Sequence, residues 1–253
     1  MNAMRVGKLP IRWRIFFMLL PLLAALAALG LGRVPLSAGE FWSGLLGGGS
    51  ELTRMTLWRL RLPRILLAAL AGAGLSAAGC AFQSLFANPL ATPDTLGVAS
   101  GSSFGAALGL LLGLDLLGIQ AAAMVMGAAA VALTWLASPG KDRGMGTIVL
   151  SGIMMGSLFN ALVSLVKFVA DEESQLPAIT YWLMGSLNSA TWYTVLFALP
   201  FVLGGIALLF SIRWRLNILP MSEDEIQATG SNVNVLRLLT ALASTMITAA
   251  CVS

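Results

Sequence analysis

Histidine is missing from this chain of 253 residues, and charged residues make up only 10% of it. The lack of histidine removes the commonest general base and a frequent metal ligand. Soluble domains carry about 25% charged residues, so the low charge excludes an ordinary soluble fold. No G-x-x-x-x-G-K-[ST] segment occurs, and the stretch 139–142 (PGKD) is not one. This indicates that the chain does not hydrolyse ATP itself.

Hydrophobic residues, in contrast, make up 58% of the chain. A membrane-spanning helix needs about 20 predominantly apolar residues. Runs of this kind predict an all-α, polytopic transmembrane bundle that forms a single domain over residues 1–253, with about six full spans and a truncated seventh. The predicted spans are 15–31, 65–86, 96–114, 119–136, 146–169, 192–212 and a last one that starts near 236.

The basic residues predict the orientation of these spans, because cytoplasmic loops are enriched in lysine and arginine. If the N-terminus is cytoplasmic, nine basic residues lie inside: Arg5, Lys8, Arg12, Arg14, Lys141, Arg143, Arg213, Arg215 and Arg237. Six lie outside, namely Lys167 and a group of five arginines between the first two spans: Arg33, Arg54, Arg59, Arg61 and Arg64. That one loop is an exception to the positive-inside pattern.

The exceptional loop ends in the sequence LRLPR, residues 60–64. Pro63 suits the first turn of a helix, where no backbone N–H is needed, so the second span is predicted to open here. Arg61 and Arg64 are three apart and share one face of a helix. They serve either as anchors for lipid headgroups or as a docking point for an acidic partner outside the membrane, since the arginine fork binds carboxylates bidentately.

Glycines recur at every fourth position of the third predicted span. Residues four apart share a helix face, and close backbone approach matters in lipid, where helices gain little from the hydrophobic effect. The stripe therefore predicts a packing groove or, as the alternative, a surface lining a translocation path. Its members are Gly97, Gly101, Gly105, Gly109 and Gly113.

Two cytoplasmic segments have distinctive turn and capping chemistry. In 88–94 two prolines predict a rigid turn. In 221–230 the S-x-x-E pattern of Ser222 and Glu225 forms a capping box, and Gly230 is placed as a C-terminal stop. This predicts a short amphipathic helix over 223–229, either an ordinary capped loop helix or a lever that a cytoplasmic partner pushes.

In their order along the chain, these motifs resemble those of the FecCD family of ABC-importer permeases. These are the membrane subunits that import iron–siderophores, haem and vitamin B12. The resemblance covers about residues 15–253. The matching stretches are 60–64 (LRLPR), 83–91 (QSLFANPLA), 94–101 (DTLGVASG), 181–187 (YWLMGSL) with Trp192, 215–219 (RLNIL) and 226–230 (IQATG).

The resemblance implies a permease of an ATP-binding-cassette importer in a bacterial inner membrane, most often one for iron–siderophores. Its partners would be cytoplasmic ATPase subunits, a periplasmic substrate-binding protein, a second copy or a paralogue of the permease, and the bilayer. Neither a cofactor, a metal nor nucleic acid is implied. A secondary transporter and a non-transporting remnant of a permease are the alternatives.

The family's functional residues carry over by position. Arg61 and Arg64 match external arginines that contact acidic residues of the binding protein. The turn Asn88-Pro89-Leu90 matches a region near the cytoplasmic gate. The segment 221–230 matches the coupling helix that rests in a groove of the ATPase; its matching residues are Met221, Ser222, Glu223, Glu225 and Gly230.

One departure from the family pattern concerns length. Family members have about ten helices and a glycine-rich G-x-I-G-F-x-G-L-x-x-P-H stretch that would follow Ser253. The sequence is therefore expected to be a fragment or a truncated permease.

Overall fold

The helices account for every regular element in the described part of the chain. The computed structural model describes residues 10–32, 34–138, 145–221, 223–230 and 232–253. The α-helices are α1 (Ile11–Gly30), α2 (Ala38–Leu45), α3 (Glu51–Met55), α4 (Leu62–Leu85), α5 (Val98–Leu111), α6 (Leu116–Ala137), α7 (Met145–Val169), α8 (Gln175–Met184), α9 (Trp192–Ser211), α10 (Arg213–Leu216), α11 (Glu223–Ala228) and α12 (Val233–Val252). A π-helical segment, Thr56–Arg61, joins α3 to α4.

The chain divides into two compact units. The first comprises Met1–Ala69 and Leu187–Val195, and the second comprises Leu70–Ser186 and Leu196–Ser253. Helix α4 begins in the first unit and continues in the second.

Among the residues that the structure describes, six helices are long and apolar enough to cross a membrane: Ile11–Gly30, Glu51–Leu85, Leu116–Ala137, Gly146–Val169, Trp192–Ser211 and Val233–Val252. The predicted all-α, multi-pass architecture is thus confirmed. The shortened helix, however, is α5 rather than the last one.

Helix α5 has 14 residues instead of the 19 expected for 96–114. At 1.5 Å per residue it is about 21 Å long, less than the apolar core of a bilayer. Gly97 precedes it in a left-handed conformation (φ 75°), and Gly113 follows it with φ 67°. The two outer glycines of the stripe therefore bound the helix, while the inner three lie within it.

The last helix begins three residues earlier than predicted. The side chain of Asn232 accepts a hydrogen bond from Val235 N at 3.1 Å and caps the helix. An asparagine at this position is a helix-start signal, and sequence reasoning missed it.

The second span does not open at Pro63, and that prediction was wrong. Pro63 is the second residue of α4, but α4 continues α3 and the π-helical segment as one long helix, Glu51–Leu85. The helix starts at Glu51, where Ser50 Oγ accepts a hydrogen bond from Thr53 N at 3.2 Å. A proline inside a helix cannot donate to the carbonyl four residues earlier, and its ring collides with that carbonyl. The π-helical segment resolves the conflict: Leu62 N donates to Leu57 O, five residues back, which widens the turn just before Pro63.

The second unit is built on close contact between α5 and α6. A Cβ atom added at Gly101 would meet Met126 O at 2.7 Å, and one added at Gly109 would meet Ile119 Cα at 3.1 Å. At Gly105 the added atom would collide with the carbonyl of Ala122. The three inner glycines of the stripe thus let the backbones of α5 and α6 approach directly.

Helix α12 is the most deeply buried of the membrane-length helices. Its Ile247 is fully buried against Gly74 of α4 and Gly205 of α9, whose missing side chains make room for it. The buried hydroxyls of Thr240 and Thr248 donate to the carbonyls of Leu236 and Ser244, each four residues back. These two hydroxyls are accommodated in the apolar bundle because their own helix supplies the acceptor.

The close α5–α6 contact predicts a position-specific cost of adding a methyl group. Gly105→Ala is expected to destabilise the protein by about 1–3 kcal/mol, because the clash is with backbone that cannot rotate away. Thermal unfolding in detergent would measure this loss. Gly72→Ala in α4 is the matched control, since an added Cβ there meets nothing within 4 Å. Equal melting temperatures for the two variants would contradict the packing account.

Candidate functional site

The family motifs fall into three regions of the structure: an arginine segment in the first unit, a cleft beside the 88–95 turn in the second unit, and the short helix α11.

Arg61 and Arg64 are both tied to backbone carbonyls. Arg61 is half-buried and donates to Leu29 O and Val34 O, each at 2.5 Å, so its guanidinium caps the C-terminal end of α1. A cation suits that position because helix C-termini carry partial negative charge. Arg64 is exposed and donates from Nε to Leu187 O at 3.1 Å and from a terminal nitrogen to Asn188 O at 3.3 Å.

The end of α4 forms a Schellman motif that starts the predicted cytoplasmic turn. Asn88 N donates to Gln83 O at 3.1 Å, and Ala87 N donates to Ser84 O at 3.3 Å. Ala87 occupies the left-handed position (φ 48°), where glycine is usual. The strain there costs about 1 kcal/mol, so the surrounding bonds must hold the turn in place.

Two side-chain bonds stiffen this turn. Asn88 Oδ1 accepts from Leu90 N at 2.9 Å, an Asx turn, and Gln83 Nε2 donates to Pro89 O at 2.9 Å. Leu90 itself is 83% exposed. The predicted rigid turn is therefore present, with an apolar side chain projecting from it.

Asp94 organises the start of α5. Its Oδ1 accepts a hydrogen bond from Ala99 N at 2.7 Å, and its backbone carbonyl accepts from Gly97 N at 2.8 Å. The residue as a whole remains exposed, but desolvation of its carboxyl group outweighs the hydrogen bonds from Ala99 and Ser100 and raises its pKa above the usual value.

The turn is seated on α7 through two glycines. A Cβ at Gly152 would collide with the carbonyl of Thr95, and one at Gly97 would lie 3.2 Å from Gly156 N. Sequence reasoning did not single out Gly152 and Gly156, although their four-residue spacing is a signal for close helix packing in membranes.

A cleft of about 360 Å³ opens between this turn and α7. Its walls combine small, polar and apolar residues: Asn88, Leu90, Ala91, Thr92, Asp94, Thr95 and Ser100 on one side, and Val149, Gly152, Ile153, Gly156, Ser157 and Asn160 of α7 on the other. In the described ranges, no three Asp, Glu or Cys side chains come together as a metal site.

Helix α11 spans Glu223–Ala228, one residue less than predicted. Ile226 is fully buried and Glu225 is exposed, so the helix has one face on the protein and one outward. Gly230 has φ 74° and follows the helix as its stop. Ser222 lies outside the described residues, and with it the predicted capping box. Met221 is 43% exposed.

These features define a multi-pass α-helical membrane protein with a glycine-packed bundle and a short amphipathic helix between two of its spans. The family profile described as the FecCD transport family matches residues 19–253. The chain belongs to this family.

Curated relatives carry names from several importers. The chain is 37% identical over 228 residues to the molybdate import system permease protein MolB of Haemophilus influenzae, covering 87% of this chain and 67% of that protein. It is 36% identical over 210 residues to the cobalamin import system permease protein BtuC of Halobacterium salinarum, covering 81% of this chain and 56% of that protein. It is 32% identical over 220 residues to the ferric enterobactin transport system permease protein FepG of Escherichia coli, covering 87% of this chain and 66% of that protein.

A solved structure of an ABC transporter assigned to the metal-chelate type, in an inward-facing conformation, matches with a TM-score of 0.83 and 34% identity. The match covers 96% of this chain and 75% of that one. Of these three curated relatives, the chain spans 67%, 56% and 66% of the length, respectively.

The role of Asp94 as a cap gives a prediction with two paired variants. Asp94→Ala removes the acceptor for Ala99 N and is expected to cost about 1 kcal/mol of stability. Asp94→Asn keeps an acceptor oxygen and is expected to retain stability. Thermal melts in detergent would compare them, and equal losses in both variants would contradict the capping role.

The pH dependence of stability separates the charge of Asp94 from its hydrogen bond. Because folding raises the pKa of this acid, the native state holds its proton more tightly than the unfolded state, and stability falls as pH rises through the native pKa. Relative to wild type, Asp94→Asn should therefore gain in melting temperature between acid and neutral pH.

Proposed function

We propose that the chain is the membrane-spanning permease region of an ATP-binding-cassette importer for iron–siderophore complexes. The observation that supports it most is the family match over residues 19–253, together with a likeness across 96% of the chain to an ABC transporter assigned to the metal-chelate type. ATP would be hydrolysed by separate subunits, and substrate would be delivered by a binding protein.

The proposed topology places the N-terminus in the cytoplasm of a bacterial cell and the chain in its inner membrane. The arginine segment then faces outward, where Arg61 and Arg64 would contribute to the docking of the binding protein. Since both are held on backbone carbonyls, they would present their charge from fixed positions. A second copy or a paralogue of the permease would complete the pathway.

The cleft between the 88–95 turn and α7 is the proposed gate region. Backbone contact through Gly97 and Gly152 couples the turn to α7 without intervening side chains, so displacement of one element displaces the other. The mixed walls of small, polar and apolar residues suit the passage of a substrate that is released rather than held.

Molybdate is the second candidate substrate. The specific observation in its favour is the 37% identity to the molybdate permease protein, compared with 32% to the ferric enterobactin permease protein. The two substrates are chemically distinct, one a bulky metal chelate and the other a small oxyanion.

Reconstitution tests the proposed function and its substrate together. The chain would be co-purified with its ATPase subunits, placed in liposomes and supplied with the substrate-binding protein. ATP-dependent uptake of a radiolabelled ferric siderophore is expected. Uptake of radiolabelled molybdate and not of the siderophore would identify molybdate as the substrate. Uptake driven by an ion gradient without an ATPase would overturn the importer assignment.

Helix α11 is proposed as the coupling helix that rests on the ATPase. Substituting both Glu223→Lys and Glu225→Lys reverses the charge of the helix and is expected to abolish most of the stimulation of ATP hydrolysis by the binding protein. The matched control is Glu223→Asp with Glu225→Asp, which keeps both negative charges at the same positions. Normal stimulation in the α11 variant would reject the coupling role.

A further inference from the structure

The arginines of the first unit differ in what their guanidinium groups contact. Arg61 and Arg64 donate to backbone carbonyls, as described above. Arg54 and Arg59 are exposed, and within the described ranges their guanidinium groups have no hydrogen-bond or ion-pair partner. The charges of the second pair are therefore available to another molecule.

The π-helical segment brings these two arginines to one side of the helix. In an ordinary α-helix of 3.6 residues per turn, residues five apart point about 140° away from each other. The i→i+5 hydrogen bonding of the π-segment widens the turn and reduces this angle. Both arginines line one cleft of about 340 Å³, whose other lining residues are Gly47, Glu51, Met55 and Trp58.

Trp58 gives this cleft a fixed wall. Its Nε1 donates to Gly44 O at 3.1 Å, and its backbone carbonyl accepts from Trp192 Nε1 at 2.7 Å. The side chain nevertheless remains 39% exposed. A fixed, partly exposed tryptophan flanked by arginines has the composition of an anchoring point in a protein interface.

The charges in the cleft favour a carboxylate. Two arginines and one glutamate, Glu51, line the cleft, so its charged residues sum to a net positive charge. Arginine binds carboxylates through two parallel hydrogen bonds. The presence of both charge signs beside a fixed wall favours a partner with a fixed charge pattern, as a protein surface has, over a mobile anionic lipid headgroup.

We infer that Arg54, Trp58 and Arg59 form an acceptor site for an acidic side chain of the substrate-binding protein, separate from Arg61 and Arg64. This inference rests on the proposed function, because it takes its partner from it. The π-helical segment then has a functional consequence as well as a structural one: it frees Pro63 from a clash and presents two arginines together.

The test measures the association of the purified substrate-binding protein with the permease–ATPase complex in nanodiscs. The double substitution Arg54→Glu with Arg59→Glu is expected to lower the association rate constant by about tenfold or more at low salt, with a smaller effect at high salt. Arg54→Lys with Arg59→Lys keeps the charge and should keep that rate while dissociation becomes faster. Lys167→Glu, a basic residue outside the cleft, is the control and should bind as wild type does.

Three outcomes would contradict the inference. Wild-type binding kinetics in the Arg54→Glu, Arg59→Glu variant, with wild-type transport, would overturn the inference and leave the proposed function intact. Wild-type binding that requires phosphatidylglycerol in the nanodisc would show that the cleft holds a lipid headgroup. Failure of wild type to bind any substrate-binding protein would reject the proposed function together with this site. A melting temperature equal to that of wild type would establish that the variant is folded.

Discussion

Backbone polar groups inside a bilayer have no water to bond, so each must find its partner within the protein. Several features of this chain provide such partners, for side-chain as well as backbone polar groups. Proline at position 63 removes a donor, and the preceding turn changes to i→i+5 bonding. The carbonyl of Leu29, at the end of α1, is satisfied by Arg61. Threonine hydroxyls on α12 bond to carbonyls of their own helix. The same constraint thus shapes the helix ends, the turns and the arginine segment.

The bilayer also makes close packing of the helices necessary. In lipid, the hydrophobic effect contributes little to the association of helices. Their association is stabilised instead by van der Waals contact between closely packed helices. Glycines remove the side chains that would keep the backbones apart, as Gly105 does between α5 and α6 and Gly152 does between α7 and the turn before α5. The gate region proposed here is therefore a backbone-to-backbone junction, in which small displacements have direct mechanical consequences.

The family assignment and the substrate rest on different kinds of information. Motifs spread over most of the chain identify the FecCD transport family. Relatives at similar identity are named for molybdate, cobalamin and ferric enterobactin. Similarity over the chain as a whole therefore identifies the family but does not select one of these cargoes.

The sequence by itself determined the helical membrane class, most of the spans, the short helix near 223–228 and the positions of the family motifs. These depend on composition, period and local capping, which act over a few residues. Tertiary structure decided the rest. The continuation of the second span back to Glu51 depended on a π-turn that no periodic pattern reveals. Whether an arginine is held on a carbonyl, as Arg61 is, or left facing a cleft, as Arg59 is, depended on which backbone the fold brings beside it.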